Sequence, residues 1–236
     1  MRCARSLTKF GGIDFRAGLW LVLFMTVLKL FYGLALVVSA VSAKAQIGAG
    51  WQETKYDAML NPEIRHNRLK IQPIPKVYHG NGCSYTNADG VETFSLLNTN
   101  STRIEIRVYN TYTNGQHQFE GDVRFSAPLD NEGLMQIFGN TTHATLFMLR
   151  GWAENGGSLK YYADDVLATN AYDRWFHVNV INDRDKHVTQ VYLDGTLKGE
   201  WTDTDNAPNY FKYGCYGIAP TNRIDAQWKN VKFFEK

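Results

Sequence analysis

The sequence predicts an all-β fold, a sandwich or barrel built from short antiparallel strands. After Gly90 the chain is a succession of short β-branched and aromatic runs separated by Asn, Gly and Asp, which is the spacing of strands and turns in such folds. No run of convincing length has a helical period. Phe, Tyr and Trp make up 14% of the residues, and aromatic side chains in that number favour two sheets packed face to face around one core.

Ten runs after Gly90 are predicted to contain strands. Asp194-Gly195 divides one of these runs and is typical of a two-residue hairpin turn, so that run is expected to supply two strands. In chain order the runs are VETFSLL (91–97), TRIEIRVYNTY (102–112), HQFEGDVRFSA (117–127), LMQIFG (134–139), ATLFMLRGW (144–152), SLKYYAD (158–164), WFHVNVI (175–181), VTQVYLDGTLKGEW (188–201), YFKYGCYGI (210–218) and DAQWKNVKFFE (225–235).

Residues 1–45 have the sequence of a secretory signal. Four basic residues precede a mostly apolar run from Leu19 to Val41, and the triplet Ala43-Lys44-Ala45 then suits signal-peptidase cleavage before Gln46. An uncleaved membrane anchor is the alternative, because the run is about long enough to cross a bilayer. Lys29 in its middle disfavours the anchor by about 2.5 to 3.5 kcal/mol. In either case we expect the rest of the chain in the secretory pathway, outside the cell, or in the cell wall or vacuole, with membrane contact only through this segment.

The part of the chain after this signal has the size and charge of one acidic domain. Removal of residues 1–45 takes away six basic residues and one acidic residue, which leaves 19 basic and 22 acidic residues and a net charge of −3. No broad nucleic-acid-binding surface is therefore expected. Residues 46–89 are polar and contain three prolines, so we expect them to be an irregular segment packed against a domain formed by residues 90–236.

Two cysteines and two glycosylation sequons follow the signal. Cys83 and Cys215 would be exposed to an oxidising compartment, where a disulfide persists. A bridge and two separate thiols both remain open, because Cys215 lies on the apolar face of its predicted strand and free cysteines are often buried. Asn100-Ser-Thr and Asn140-Thr-Thr have the acceptor sequence for N-glycosylation, as expected of a secreted glycoprotein.

Three of the predicted strands divide into an apolar face and a polar face, because successive side chains of a strand point to opposite sides. In YFKYGCYG the polar side carries Lys212, Gly214 and Tyr216, and the apolar side carries Phe211, Tyr213 and Cys215. RIEIRV and MQIFG divide in the same way. The sequence therefore predicts a concave polar surface that contains Arg103, Glu105, Arg107, Gln136, Lys212 and Tyr216.

These residue types are suited to a carboxylated sugar. A carboxylate between two arginines can hold both guanidinium groups so that each presents two donors to an anionic ligand. Chemistry at a sugar acid also needs an amide donor and a proton carrier, which Gln136 and Tyr216 would supply. The alternative for RIEIRV alone is the solvated face of an edge strand.

The same segments resemble a known family. RIEIRV, MQIF and YFKYGCY are similar to the signature segments of the alginate-lyase-type polysaccharide lyases, family seven and the related glucuronan lyases. QFEG, MQIFG, HATLFMLR, GSLKYY, YDRWFHVNVI, VYLDGTLK, YFKYGCY and QWKNVK also resemble the plant citrate-binding proteins, which are vacuolar or secreted members of that superfamily. The resemblance runs from about Gly90 to the C-terminus. It implies a concanavalin-A-like β-jelly-roll sandwich of two curved antiparallel sheets.

The resemblance also implies roles for the polar residues. Arg103 and Gln136 would bind the substrate carboxylate and Tyr216 would transfer the proton. The floor of the groove would be supported by Glu105, Arg107 and Lys212. Where the alginate lyases have Q-I-H, this chain has Gln136-Ile137-Phe138, so the histidine that serves as general base is absent.

Loss of that histidine bears on the choice of sugar. Guluronate loses its proton and leaving oxygen from opposite faces and needs two groups. Glucuronate and mannuronate lose both from one face, and one tyrosine can serve as base and then as acid. His143 follows the Gln136 strand and could reach the end of the groove, although a loop histidine is more often only exposed.

No metal site or cofactor is expected from the sequence. The histidines show no shared spacing of the kind a metal site uses, and Asp203 and Asp205 lack the glycine and closing glutamate of a calcium loop. The expected partner is a uronate polysaccharide that the chain cleaves. A non-catalytic protein that binds citrate or another small polycarboxylate is the alternative, and a lectin-like wall module is a third hypothesis.

Overall fold

The computed structural model describes residues 47–64, 67–80, 82–97, 101–217 and 223–236. The predicted signal, Cys3, His66 and the sequon residue Asn100 lie outside these ranges. The chain divides into two units, Met1–Ala43 and Lys44–Lys236, and all of the described residues belong to the second. Within them, no helix has the length and apolar character needed to span a membrane.

Strands account for most of the described chain, as the sequence predicts. In order they are β1 (Gln52–Glu53), β2 (Ala58–Ile64), β3 (Asn67–Arg68), β4 (Val77–Gly80), β5 (Cys83–Ala88), β6 (Val91–Leu96), β7 (Ser101–Val108), β8 (Gln116–Phe125), β9 (Glu132–Phe138), β10 (Thr145–Trp152), β11 (Ser158–Tyr161), β12 (Asp165–Thr169), β13 (Phe176–Asp183), β14 (Val188–Leu193), β15 (Thr196–Thr202), β16 (Tyr210–Tyr216) and β17 (Ile224–Glu235). A single-turn 3-10 helix, Glu154–Gly156, follows β10.

The strands form two antiparallel sheets. The front sheet has the order β12-β11-β10-β9-β16-β7-β2-β3. The back sheet has the order β15-β14-β13-β8-β17-β6-β5-β4, and β1 pairs with β17 at its side. Strands that are distant in the chain are neighbours in both sheets, so the predicted all-β sandwich is confirmed.

The core lies between the two sheets and is rich in aromatic rings. Phe119 of β8 contacts Trp228 of β17 edge to face, with ring centroids 5.2 Å apart. The same phenylalanine lies 5.8 Å from the ring of Tyr213 on β16, in the opposite sheet. Such pairs add about 0.5 to 1.5 kcal/mol each beyond the area they bury. The predicted face-to-face packing of aromatic residues is thus observed.

Alternation along β7 and β16 places the predicted residues on the expected sides, with one exception. Phe211, Tyr213 and Cys215 belong to the core cluster. Gly214, which alternation assigns to the polar face, has a φ of +141°. A Cβ built there would lie 2.5 Å from the Ile104 carbonyl oxygen and 3.0 Å from Phe94 of the back sheet. A register shift between Tyr213 and Tyr216 turns this position inward, so the prediction for Gly214 is wrong.

Residues 46–89 differ from the irregular segment that the sequence predicts. They supply β1 to β5, and β2 lies inside the front sheet between β7 and β3. Pro62 argued against a strand there because proline has no amide hydrogen to donate. Its carbonyl oxygen is still used, since it accepts a hydrogen bond from the Leu69 amide at 2.9 Å.

One turn and two cysteines were also the subject of predictions from the sequence. Asp194 and Gly195 have φ values of 51° and 78° and connect β14 to β15, so the predicted hairpin is confirmed. Cys83 and Cys215 are both buried and both are free thiols. Burial raises the pKa of Cys83 to about 11 and that of Cys215 well above its usual range. Of the two alternatives, two separate thiols is the one observed.

Candidate functional site

The three strands that carry the predicted site residues are neighbours in the front sheet, in the order β9, β16 and β7, with β10 next to β9. Their registers align the polar face into two rows that cross the strands. One row consists of Arg103, Tyr216, Gly133 and Arg150. The other consists of Arg107, Lys212, Gln136 and Met148. Because the rows follow from strand pairing, residues far apart in sequence meet on one surface.

Tyr216 lies above a guanidinium group. The Arg103 Cζ atom is 4.4 Å from the centroid of the Tyr216 ring. Arg103 Nη1 lies 3.2 Å from Glu105 Oε2, and Arg103 Nε lies 3.3 Å from Glu63 Oε2. The N–H directions do not meet these oxygens well enough for hydrogen bonds, so both buried nitrogens lack a hydrogen-bond partner within the described chain. Arg103 is therefore paired in charge and still has donors to offer.

Glu105 links Gln136 to Lys212 in the buried floor of the site. Gln136 Nε2 donates a hydrogen bond to Glu105 Oε1, and Lys212 Nζ lies 3.5 Å from Glu105 Oε2. Each of these three residues exposes 2% of its surface or less. Desolvation by burial, only partly offset by Glu105, lowers the pKa of Lys212 from 10.5 to about 8. The carboxylate thus holds in place the Gln136 amide, which the family resemblance assigns to the substrate carboxylate, and the Lys212 ammonium, which it assigns to the floor of the groove.

Phe138 occupies the position where related lyases have their histidine, and Tyr210 packs against its ring. The Phe138 ring centroid lies 4.5 Å from Lys212 Nζ and 5.2 Å from the Tyr210 ring. The Arg107 guanidinium lies over that tyrosine at 4.3 Å. Burial raises the pKa of Tyr210 above its usual range. This end of the polar face consequently holds cations against aromatic faces and has no imidazole.

Open space lies beside the buried floor. We call the larger cavity, about 510 Å³, the side hollow; its lining includes His143, Met148, Arg150, Tyr162, Trp201 and Tyr216. The smaller cavity, about 290 Å³, is the end hollow, and Glu132, Arg150 and Tyr216 line it. Tyr216 and Arg150 border both, so the phenol stands where the floor network meets solvent-accessible volume.

The structure brings most of the sequence-predicted residues together. Six of them form the two rows with their shared carboxylate, namely Arg103, Glu105, Arg107, Gln136, Lys212 and Tyr216. His143 lies apart in the exposed turn after β9, where its amide donates to Asn140 Oδ1 at 2.8 Å. It still lines the side hollow with Tyr216. Among the described residues, no group of three His, Cys, Asp or Glu side chains could hold a metal ion.

Sequence reasoning missed three residues of this region. Arg150 is half-buried, and its Nη1 donates to Asn131 Oδ1. Glu132 exposes 1% of its surface, and burial raises its pKa from 4.5 to about 8. Glu63 pairs with Arg103. Arg150 was detectable, because Met148 and Arg150 are two positions apart in FMLR and so lie on the same face of the strand. Glu63 follows Pro62 in a strand that the sequence did not indicate.

Comparison with solved structures gives the fold. The alginate lyase from Corynebacterium sp. superposes with a TM-score of 0.62 at 16% identity over 77% of this chain and 95% of that one. An alginate lyase from Pseudomonas aeruginosa gives 0.57 at 15% identity over 75% and 98%. Alginate lyase AlyC3 in complex with dimannuronate gives 0.58 at 10% identity over 75% and 88%. The two-sheet sandwich is thus the jelly roll of the family-seven lyases, as the sequence resemblance implied.

Sequence comparison identifies the family. A citrate-binding protein from Hevea brasiliensis is 34% identical over 145 residues, which is 60% of this chain and 60% of that protein. The chain therefore spans 60% of the length of this relative. A family model described as alginate lyase matches residues 79–235. Because that match covers more than half of the sequence and includes β5 to β17, the chain belongs to the alginate lyase family.

Proposed function

We propose that this protein is a polysaccharide lyase that cleaves glucuronate- or mannuronate-type polymers by syn β-elimination, with Tyr216 as the proton carrier. The observation that carries the proposal is the position of Tyr216. Its ring lies over the Arg103 guanidinium and borders both the side hollow and the end hollow. A phenol is thereby placed where a polymer can reach it and where a cation lies beneath it.

In the proposed reaction the uronate carboxylate lies over the floor, near the charge of Arg103 and the amide of Gln136. These groups stabilise the negative charge that spreads into the carboxylate when the proton on C5 is removed. Tyr216, as phenolate, takes that proton, and the C5–H electron pair forms the C4–C5 double bond as the C4–O bond breaks. Tyr216 then returns the proton to the leaving oxygen, so the enzyme ends as it began. The Arg103 guanidinium lies against the Tyr216 ring, so a positive charge is adjacent to the group that carries the proton.

Phe138 supports the choice of sugar. A guluronate unit needs a base on the face opposite the leaving oxygen, and the position of the family histidine holds a phenyl ring packed on Lys212. A single tyrosine is sufficient only where proton and leaving oxygen lie on the same face. We therefore assign the activity to glucuronate or mannuronate linkages.

The test is a screen of the full-length protein against polyglucuronate, polymannuronate and polyguluronate, read by the ultraviolet absorbance of the unsaturated product. We expect product from one or both of the first two polymers and none from the third. Tyr216→Phe should abolish turnover, while Tyr192→Phe, which removes a hydroxyl bonded to Gln190 in the back sheet, should not. Product from Tyr216→Phe at an unchanged rate would exclude tyrosine from the mechanism.

A second candidate function is the binding of citrate without catalysis. It is favoured by the relative named a citrate-binding protein, at 34% identity, and by the missing histidine. A polymer site engages several sugar units along the sheet, so affinity should rise with oligomer length and citrate should compete poorly. A citrate site should bind citrate with fixed stoichiometry and be indifferent to chain length. Isothermal titration with citrate and with a glucuronate oligomer series separates the two candidates.

A further inference from the structure

Arg150 occupies the opposite side of Tyr216 from Arg103. The cross-strand row runs from Arg103 on β7 through Tyr216 on β16 and Gly133 on β9 to Arg150 on β10. Neighbouring strands lie about 4.8 Å apart, so the backbones of the two arginines are separated by about 14 Å. The reacting phenol therefore has one guanidinium on each side along the direction in which an extended ligand would cross the strands.

The two arginines differ in how their charge is balanced. Arg103 lies within 3.3 Å of two carboxylates. Arg150 makes no ion pair with any residue that the structure describes, and its contacts are neutral: the Asn131 side-chain oxygen and, at 3.0 Å from Nε, the Met148 sulfur. The nearby carboxyl of Glu132 is buried, which favours its neutral form. Arg150 thus has no ion-pair partner among the described residues, whereas Asp203, which also lines the side hollow, pairs with Arg184 at 3.4 Å.

The space beside Arg150 has a volume of about 510 Å³, which lies within the size range of small-molecule sites. Gly133 lies between Arg150 and Tyr216 in the row, and a Cβ at this glycine would lie 3.1 Å from the Met148 sulfur and 3.4 Å from the Tyr216 ring. The far wall carries Trp201, whose ring stacks on Tyr161 at 4.2 Å and whose Nε1 donates to Asp165 at 2.7 Å. Aromatic walls with a few fixed polar groups are typical of small-molecule sites.

We propose that Arg150 binds the carboxylate of a second uronate unit, seated in the side hollow next to the unit that reacts at Tyr216. This inference rests on the proposed function, because it requires a uronate polymer on the front sheet. The inference goes beyond the proposed function because it predicts that a single uronate unit occupies only half of the binding site. A guanidinium gives a carboxylate two parallel hydrogen bonds, and a lysine at the same position would give one.

The experiment measures binding in the Tyr216→Phe background, so that no ligand is consumed. The probes are glucuronate, its dimer, trimer and tetramer, and the methyl esters of the same oligomers, which carry no charge. Arg150→Gln should weaken trimer binding about tenfold or more while changing monomer binding less than about twofold. Arg150→Lys should recover part of the loss. Neither variant should alter the affinity for the esters, because the lost interaction is with the carboxylate charge.

The matched control is Arg124→Gln, which removes an exposed arginine of the back sheet that pairs with Asp173 at 3.1 Å. It should leave all affinities unchanged. Equal losses for free oligomers and esters would mean that Arg150 only shapes the hollow, and would overturn the inference while the proposed function stands. Absence of oligomer binding in the parent protein would overturn both. Arg150-dependent binding of citrate without oligomer binding would assign the hollow to a small polycarboxylate and overturn the inference as well.

Discussion

Glu132 is a buried carboxyl at the border of the site, and its replacement by Gln tests the electrostatics of that region. The residue exposes 1% of its surface, and Oε2 accepts a hydrogen bond from the Asp130 amide at 2.7 Å. Burial favours the neutral acid and raises the pKa of Glu132 from 4.5 to about 8, although Arg150 opposes the change. Glu132→Gln keeps an oxygen for the Asp130 amide and removes the ionisation.

The raised pKa determines the sign of the pH dependence. Between pH 4.5 and pH 8 the folded protein holds a proton on Glu132 that the unfolded chain has lost. The free energy of unfolding therefore falls as the pH rises through this window and levels off above it. A difference of about 3.5 pH units at 1.36 kcal/mol per unit corresponds to about 5 kcal/mol. Glu132 lines the end hollow, and access of solvent there would reduce the cost of ionisation, so we expect a fall of about 2 to 5 kcal/mol.

The assay is urea unfolding of the full-length protein at intervals from pH 4.5 to pH 8.5 and constant ionic strength. Between pH 4.5 and pH 8.5 the free energy of unfolding should fall in both proteins. The fall in Glu132→Gln should be smaller than the fall in the parent by about 2 to 5 kcal/mol. Glu200→Gln, which replaces an exposed carboxylate bonded to Gln190, is the control and should follow the parent. Identical pH profiles for Glu132→Gln and the parent would show that Glu132 ionises in the folded protein without penalty, and would refute the reasoning.

Three further predictions concern the floor, the histidine position and the thiols. Arg103→Ala should lower the unfolding free energy by about 3 to 5 kcal/mol in urea, because Glu63 and Glu105 lose a buried partner; a loss within 1 kcal/mol would mean that water replaces the guanidinium. Phe138→His should yield detectable product from polyguluronate where Phe138→Leu yields none, and equal absorbance from both would contradict the role assigned to this position. Cys83 and Cys215 should react with an alkylating reagent only after denaturation, since both are buried and burial raises their pKa values; mass spectrometry of the native protein measures this.

The strands after Gly90 were predictable because they lie in runs rich in β-branched and aromatic residues that are bounded by Asn, Gly and Asp. β2 was not, because its sequence AMLNPEI has one β-branched residue and contains Pro62. Met59, Leu60 and Asn61 are consecutive and each exposes 1% or less, so both faces of the strand are covered. A strand in that environment has no period of two, and Pro62 removes the remaining signal. The position of β2 inside the front sheet depends on pairing with β7, which the local sequence does not contain.

In the candidate site, too, the features with a local sequence pattern were predictable, and those that depend on strand pairing were not. Arg103, Glu105 and Tyr216 were identifiable because each alternates with apolar residues inside its own strand. The hydrogen bond between Gln136 on β9 and Glu105 on β7 passes across β16, and no local pattern predicts it. The place of Arg150 opposite Tyr216 also depends on register shifts in the pairing of β9 with β10 and β16. The shared polar face of these residues was thus predictable from the sequence, and the contacts between them were not.

The balance of charge on the front sheet bears on the choice between a polymer and citrate. Glu105 and Glu63 already balance Arg103 and Lys212, which are the cations closest to the centre of the floor. The cations that remain without a carboxylate partner among the described residues are Arg107 and Arg150, on β7 and β10. Their strands are three strand spacings apart, about 14 Å, and the two arginines are further separated because they lie in different rows. A compact tricarboxylate needs its cations at one point, whereas a chain of uronates presents carboxylates at intervals, so this spacing favours an extended polyanion.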